Sequence, residues 1–211
     1  MNIKYNNFIS FEGIDGSGKS TQIKLLSKIL FNNGIKNHII REPGGTEISE
    51  MIRSILLNGN NKINPEEETL LFLSSRANLV NEFILPKLKD NFIILCDRYI
   101  DSTVAYQAYG RGMNLDLINK MNAFATNNCI PILTIVFDID PLIVNERLNN
   151  KELDRMENEG IEFQNKVRQG YLEIAKIDNR FHIIDCNKKN IEEIHLELMK
   201  IISLYIKRIC T

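Results

Sequence analysis

The stretch from Phe8 to Thr21, FISFEGIDGSGKST, restricts the possible folds more than any other part of the chain. Apolar residues lead into Gly13, and Gly16, Gly18, Lys19 and Ser20 complete the pattern GxxxxGK[ST] with no position missing. Glycines at this spacing let a strand bend into a helix so that successive backbone N–H groups point inward around a polyphosphate. The helix that follows turns its positive dipole end toward the same anion. The expected phosphate cradle is therefore Gly13, Ile14, Asp15, Gly16, Ser17, Gly18, Lys19, Ser20 and Thr21. Lys19 is expected to reach the terminal phosphates of a nucleotide, and the Ser20 hydroxyl to hold a magnesium ion. Both flanks agree with this. Phe8, Ile9 and Phe11 read as a buried strand, and Ile23, Leu25, Leu26, Ile29 and Leu30 have the spacing of a packed helix.

The rest of the 211-residue chain repeats the alternation of strand and helix. Further apolar strands are expected at His38–Arg41, Phe92–Cys96, Ile132–Phe137 and Phe181–Ile184, with amphipathic helices between them. That alternation argues for an α/β fold, a parallel sheet covered by helices on both faces, in one domain without a dividing linker. The 26 basic and 27 acidic residues balance, so no broad basic surface announces nucleic acid as a partner. No apolar run is long enough to cross a membrane, and the N-terminus lacks the pattern of a signal peptide. Cys96, Cys129, Cys186 and Cys210 form no CxxC pair, which suits a reduced, cytoplasmic setting.

Several segments carry more polar chemistry than a scaffold needs. Arg41 and Glu42 flank a Pro-Gly-Gly loop at the end of a strand, where ligands gather in open parallel sheets, though such turns are also common without function. Thr46 reads as the N-cap of a helix that carries Arg53. A second helix begins near Pro65 with Leu70, Leu73, Ala77, Val80 and Ile84 as its core stripe. Beside that stripe, Phe72 and Arg76 lie one turn apart and are either core or a clamp for a nucleobase, by stacking and by hydrogen bonds. Asp97 ends an apolar strand, as a magnesium partner of a phosphate loop does, with a capping role as the alternative. Arg98 would then sit beside the transferred group. The segment Asp101–Gly112 places Ser102, Tyr106 and Gln107 around a short helical turn. From Arg147 to Gly160 apolar periodicity disappears, leaving either a solvated face or a mobile flap that closes basic groups over phosphates. Lysines outnumber arginines sixteen to ten overall, yet Arg41 to Arg111 holds five arginines and three lysines. Arginine suits oriented contact with phosphate or a base edge.

Taken in order, GIDGSGKST, the REPGG at Arg41–Gly45, the LFLSSR at Leu71–Arg76 and the DRYIDSTVAYQAYGRG at Asp97–Gly112 closely resemble thymidylate kinases, over nearly the whole chain. The resemblance implies a P-loop kinase fold with a small mobile lid at about 147–160, and transfer of the terminal phosphoryl group of ATP to thymidine monophosphate with Mg2+. It implies that Asp15 contacts the acceptor's 3′-hydroxyl, that Arg53 and Arg98 hold the acceptor phosphate, and that Glu42 helps position magnesium or phosphate. By the same likeness Phe72 stacks on thymine, Arg76 bonds to the base, and Tyr106 and Gln107, with Ser102 nearby, close the sugar and base pocket. Family members carry a catalytic arginine in the phosphate loop or in the lid, and Gly16 and Ser17 point to the lid version here. Asn150 and Lys151 stand where some lid-type members have arginine and glycine. The role is assigned first to Arg155, whose fork can bridge phosphate oxygens, with Lys151 and Arg147 as alternatives. A homodimer is implied as well. The rivals are another nucleoside monophosphate kinase, a non-catalytic ATP-binding subunit, and a P-loop GTPase. For the GTPase, no Asn-Lys pair is followed by the required aspartate.

Overall fold

The computed structural model describes residues 3–148 and 154–206. Strand β1, Ile3–Glu12, runs into the glycine loop, and α1, Lys19–Asn32, starts at the loop lysine. Strand β2, Asn37–Arg41, is followed by α2, Glu47–Leu57, whose N-cap Thr46 accepts from the Ser49 amide as the sequence suggests. Helix α3, Pro65–Leu79, is closed at its N-terminus by a capping box between Asn64 and Glu67. It continues through a π-helical segment, Val80–Ile84, into the short α4, Leu85–Lys89. Strand β3, Ile93–Asp97, leads to α5, Ile100–Thr103, and to a second π-helical segment, Val104–Gly110. Then follow α6, Leu115–Ala125, strand β4, Cys129–Asp138, and α7, Pro141–Leu148. The chain closes with a 3-10 turn at Glu157–Glu159, α8, Ile161–Ala175, strand β5, Phe181–Asp185, and α9, Ile191–Tyr205.

The five strands form one parallel sheet in the order β2-β3-β1-β4-β5. Alternate side chains of each strand enter different cores, as the two-residue period requires. Ile9, Phe11, Ile93 and Leu95 pack with Ile23, Leu26 and Leu30 of α1 and with Leu198 and Ile202 of α9. Phe8, Ile94 and Cys96 pack with Leu79, Val80, Ile84 and Leu88. Both faces are therefore covered, and the strand ends that carry the loops all point the same way.

Two expectations about local structure change. Leu70 is 57% exposed and does not belong to the core stripe, whereas Leu79 is fully buried. Within the regular helix the inward face runs through Thr69, Leu73 and Arg76, so Leu70, one position round from Thr69, turns outward. The Asp101–Gly112 region is more than a short turn: it holds α5 and seven π-helical residues, with Val104 through Ala108 buried. Wide turns of this kind recur at functional sites. Among the described residues, no helix is long and apolar enough to cross a membrane.

Candidate functional site

The phosphate loop has the shape its glycines permit. Gly13, Gly16 and Gly18 adopt φ values of 134, 73 and 93°, and a Cβ on Gly13 would fall 2.5 Å from the Phe137 carbonyl oxygen. Lys19 is 5% exposed, and its Nζ donates to the carbonyls of Gly13 and Ile14, both at 2.9 Å, and to Ser17 Oγ at 3.4 Å. Burial, together with the nearby Arg98, pulls its ammonium down to about 8, while Asp97, Asp15 and Glu12 pull the other way. The Ser20 hydroxyl donates to Asp97 Oδ2 at 2.7 Å, so a hydroxyl and a carboxylate lie side by side at the loop. These are two hard oxygen donors of the kind magnesium takes when phosphate and water supply its other ligands. Among the described residues, no group of three or more His, Cys, Asp or Glu suited to a metal occurs.

A cleft of about 490 Å³ opens from this loop. It is lined on one side by Asp15, Lys19, Ser20 and Asp97, and on the other by Phe72, Arg76, Tyr106 and Gln107. Arg98 lies between them at φ 70°, an uncommon left-handed position for a non-glycine residue. Its guanidinium donates to Asp15 Oδ1 at 2.8 Å, Ser102 Oγ at 3.3 Å and the Tyr171 hydroxyl at 3.1 Å. It also stands 5.1 Å from the centre of the Tyr106 ring. The Tyr106 hydroxyl is buried with no hydrogen-bond partner among the described residues, and the residue lines the cleft. Arg53 donates to the Pro43 carbonyl at 2.8 Å, tying α2 to the loop after β2. Phe72 is half-buried in the cleft wall, which favours the clamp over the core alternative.

Two sequence-derived residues are engaged elsewhere. Arg76 is 2% exposed and makes four hydrogen bonds within the protein, from Nε to Glu42 Oε2, from NH1 to Thr103 and Asn122, and from NH2 to the Tyr99 carbonyl, with NH2 also in an ion pair with Glu42 Oε2. It lines the cleft as a fixed wall, held by its own protein, instead of projecting an idle fork at a base. Burial raises the Glu42 carboxyl despite that pairing. Arg155 bonds through Nε to the Leu56 carbonyl at 2.7 Å and through NH2 to Glu68 Oε2 at 2.7 Å. Its neighbours Asp154, Met156 and Glu157 line the cleft but Arg155 does not, so in this arrangement it anchors the segment to α2 and α3. This end of the charged stretch is therefore no solvated face: Met156 is 5% exposed and joins the core. Lys151 lies outside the described residues, as do 149–153 in general, and Arg147 falls in the last turn of α7 with its side chain outside them.

Other participants were not singled out in the sequence. Glu68 is nearly fully buried and receives Gln107, Arg111 and Arg155, holding Gln107 at 2.9 Å. Thr103 and Asn122 seat Arg76. Glu12, at the end of β1, is fully buried against four donors. The rule that singled out Asp97, a carboxylate at the tip of an apolar strand, applies equally to Glu12 and was masked by the glycine motif that follows it.

A doubly covered parallel sheet with a glycine loop at a helix start, a lysine and serine beside an aspartate, and an arginine-lined cleft defines a P-loop nucleoside phosphate phosphotransferase. The sequence matches the thymidylate kinase family model over residues 11–198. The chain belongs to the thymidylate kinase family, whose members pass the terminal phosphoryl group of ATP to thymidine monophosphate. It is 48% identical over 200 residues to a thymidylate kinase of Thermosipho africanus, covering 95% of this chain and 99% of that protein. A thymidylate kinase of Kosmotoga olearia is 43% identical, with 96% and 98% covered. The crystal structure of thymidylate kinase from Ehrlichia chaffeensis superposes with a TM-score of 0.75 at 35% identity, covering 92% of this chain and 97% of that one.

Proposed function

We propose that this chain makes thymidine diphosphate from thymidine monophosphate and ATP, as a magnesium-dependent, cytoplasmic homodimer serving deoxythymidine triphosphate synthesis. The observation that carries the substrate reading is the single cleft joining Lys19, Ser20 and Asp97 at one end to Phe72, Tyr106 and Gln107 at the other, with Arg98 between. Phosphoryl transfer leaves a protein little covalent work, so its residues act by positioning and by neutralising charge. The backbone N–H groups of the loop and the Lys19 ammonium hold the donor phosphates. Arg98 and Arg53 hold the acceptor phosphate, with Asp15 fixing the Arg98 fork and the sugar. Phe72 stacks on the base, and Arg76, Tyr106, Gln107 and Ser102 shape its pocket around it. Magnesium, held by Ser20 Oγ and the Asp97 carboxylate, would neutralise charge between the donor's phosphates. With Arg155 engaged by Glu68, the lid cation falls to Lys151 or Arg147.

The test is a coupled assay of ADP production with thymidylate, uridylate, guanylate and adenylate as acceptors. Strong dependence on thymidylate is expected, and Lys19→Ala should cut turnover by orders of magnitude with the fold intact. ADP release independent of the acceptor, or near-normal turnover in that variant, would overturn the reading.

A further inference from the structure

Three oxygens form a closed triangle behind Arg98. Ser102 Oγ lies 2.6 Å from Glu12 Oε2 and 2.7 Å from the Tyr171 hydroxyl, and that hydroxyl lies 3.2 Å from the same Oε2. Arg98 NH1 donates to both hydroxyls, so their lone pairs must face the guanidinium and their hydrogens must stay within the triangle. The other carboxyl oxygen, Oε1, accepts from Ser10 Oγ at 2.7 Å and from the Tyr99 amide at 2.8 Å. The Arg98 amide itself donates to the Phe11 carbonyl at 3.0 Å. Residues 11 and 12 thus tie down the two amides around the left-handed Arg98, while Glu12 Oε2 organises the hydroxyls that seat its side chain.

We propose that Glu12 is the positioning residue for Arg98: without touching substrate, its carboxyl group fixes both the backbone turn and the two hydroxyls that aim the arginine at the acceptor phosphate. This rests on the reading of Arg98 as the acceptor-phosphate ligand. The hydrogen count explains why a carboxyl is required. The triangle has three contacts, so it accommodates the two hydroxyl hydrogens of the ionised form or the three hydrogens of the protonated form. A carboxamide would bring two hydrogens of its own, making four for three contacts. One is then forced out, toward a guanidinium that can only donate. Glu12→Gln is nearly isosteric and keeps an acceptor for Ser10 and the Tyr99 amide, so it isolates this effect from loss of packing.

The experiment is a cycle of Glu12→Gln, Arg98→Ala and the double variant, reading KM for thymidine monophosphate, KM for ATP and the unfolding transition. Glu12→Gln is expected to raise the acceptor KM about tenfold, the worth of one misdirected buried donor, with the ATP KM held and a single cooperative unfolding transition retained. In the Arg98→Ala background the same change should add almost nothing, because both act through one guanidinium. An unchanged acceptor KM in Glu12→Gln, or fully additive effects in the double variant, overturns the proposal. An unchanged acceptor KM in Arg98→Ala instead overturns the reading of Arg98 on which it rests. Should Glu12→Gln fail to fold, Tyr171→Phe removes another corner of the triangle and takes its place in the cycle with the same expectations.

Discussion

Arg76→Ala gives the sharpest measure of how the cleft is held together. The arginine is 2% exposed and the Glu42 it neutralises is 5% exposed, so the substitution leaves a buried carboxylate without its counter-charge. Breaking a buried ion pair from one side typically costs about 3–5 kcal/mol. Thr103, Asn122 and the Tyr99 carbonyl also lose a donor, which places this site toward the upper end of that range. For a chain of this size each kcal/mol moves the melting point by about 2–4 °C, so a fall of roughly 6–20 °C is expected. Urea titration and thermal melting at neutral pH measure it. Adding Glu42→Gln should recover part of the loss by removing the stranded charge, and the two changes should be strongly non-additive. A loss below about 1 kcal/mol accompanied by a large rise in acceptor KM would refute the reasoning. In that event the guanidinium would be chiefly a base contact and the buried clamp a minor term.

Three other changes probe separate parts of the molecule. Phe72→Ala should raise the KM for thymidine monophosphate by roughly five- to a hundredfold, the usual worth of base–aromatic stacking, and leave the ATP KM unaltered; equal damage to both would make Phe72 a core residue. Alanine at Arg147, Lys151 and Arg155 in turn should give a large turnover defect at one of the first two and a mild one at Arg155, whose partners are Leu56 and Glu68; the reverse order would restore Arg155 as the lid cation. Burial, together with Asp101, raises the Glu12 carboxyl from 4.5 to about 7, against the opposing pull of Ser102, Ser10 and Arg98. The folded chain then keeps a proton that the unfolded chain has released, so this group's contribution to stability falls as pH rises from 4.5 toward 7. Glu12→Gln should flatten that part of the profile, and parallel profiles for the two proteins would count against it.

The architecture was legible because its signals are local. The strand runs, the cap at Thr46 and the helix start near Pro65 depend on residues a few positions apart, and the structure has them where spacing puts them. The π-helical segments were not legible, since no local pattern distinguishes Val80–Ile84 from an ordinary helix, and Leu70 was placed inward because an apolar residue at helical spacing does not reveal that Thr69 and Arg76 take the buried face. The loop, Asp97, Arg98 and the cleft-lining Phe72 follow from motif and strand position. What escaped is pairing at long range. Arg76 finds Glu42, Tyr99 with Thr103, and Asn122 on three separate segments, and Arg155 finds Glu68 on a distant helix. A charged residue in a polar run looks solvated until the element that faces it is known.

The sheet explains why these long-range pairs converge. Phe11, Asp97 and Arg41 stand level across β1, β3 and β2. One step further on, the ladder extends into the loops: the Arg98 amide donates to Phe11 and the Glu42 amide to Asp97. Glu12, Arg98 and Glu42 therefore leave three adjacent strands at the same height. Their networks meet at Tyr99, which is fully buried: Glu12 accepts from its amide, and Arg76, held by Glu42, donates to its carbonyl. One peptide segment is thus gripped at its amide by Glu12 and at its carbonyl by Arg76. A one-residue slip of β3 would turn its alternating side chains into the wrong cores, so the hydrophobic register that stabilises the sheet also fixes the spacing between the two ends of the cleft. Because both carboxylates act on the same turn, disturbing Glu12 and disturbing Arg76 should be coupled, although the two side chains have no hydrogen bond to each other. Arg98 is thereby set beside the cleft by the register of the strands it leaves and pairs with.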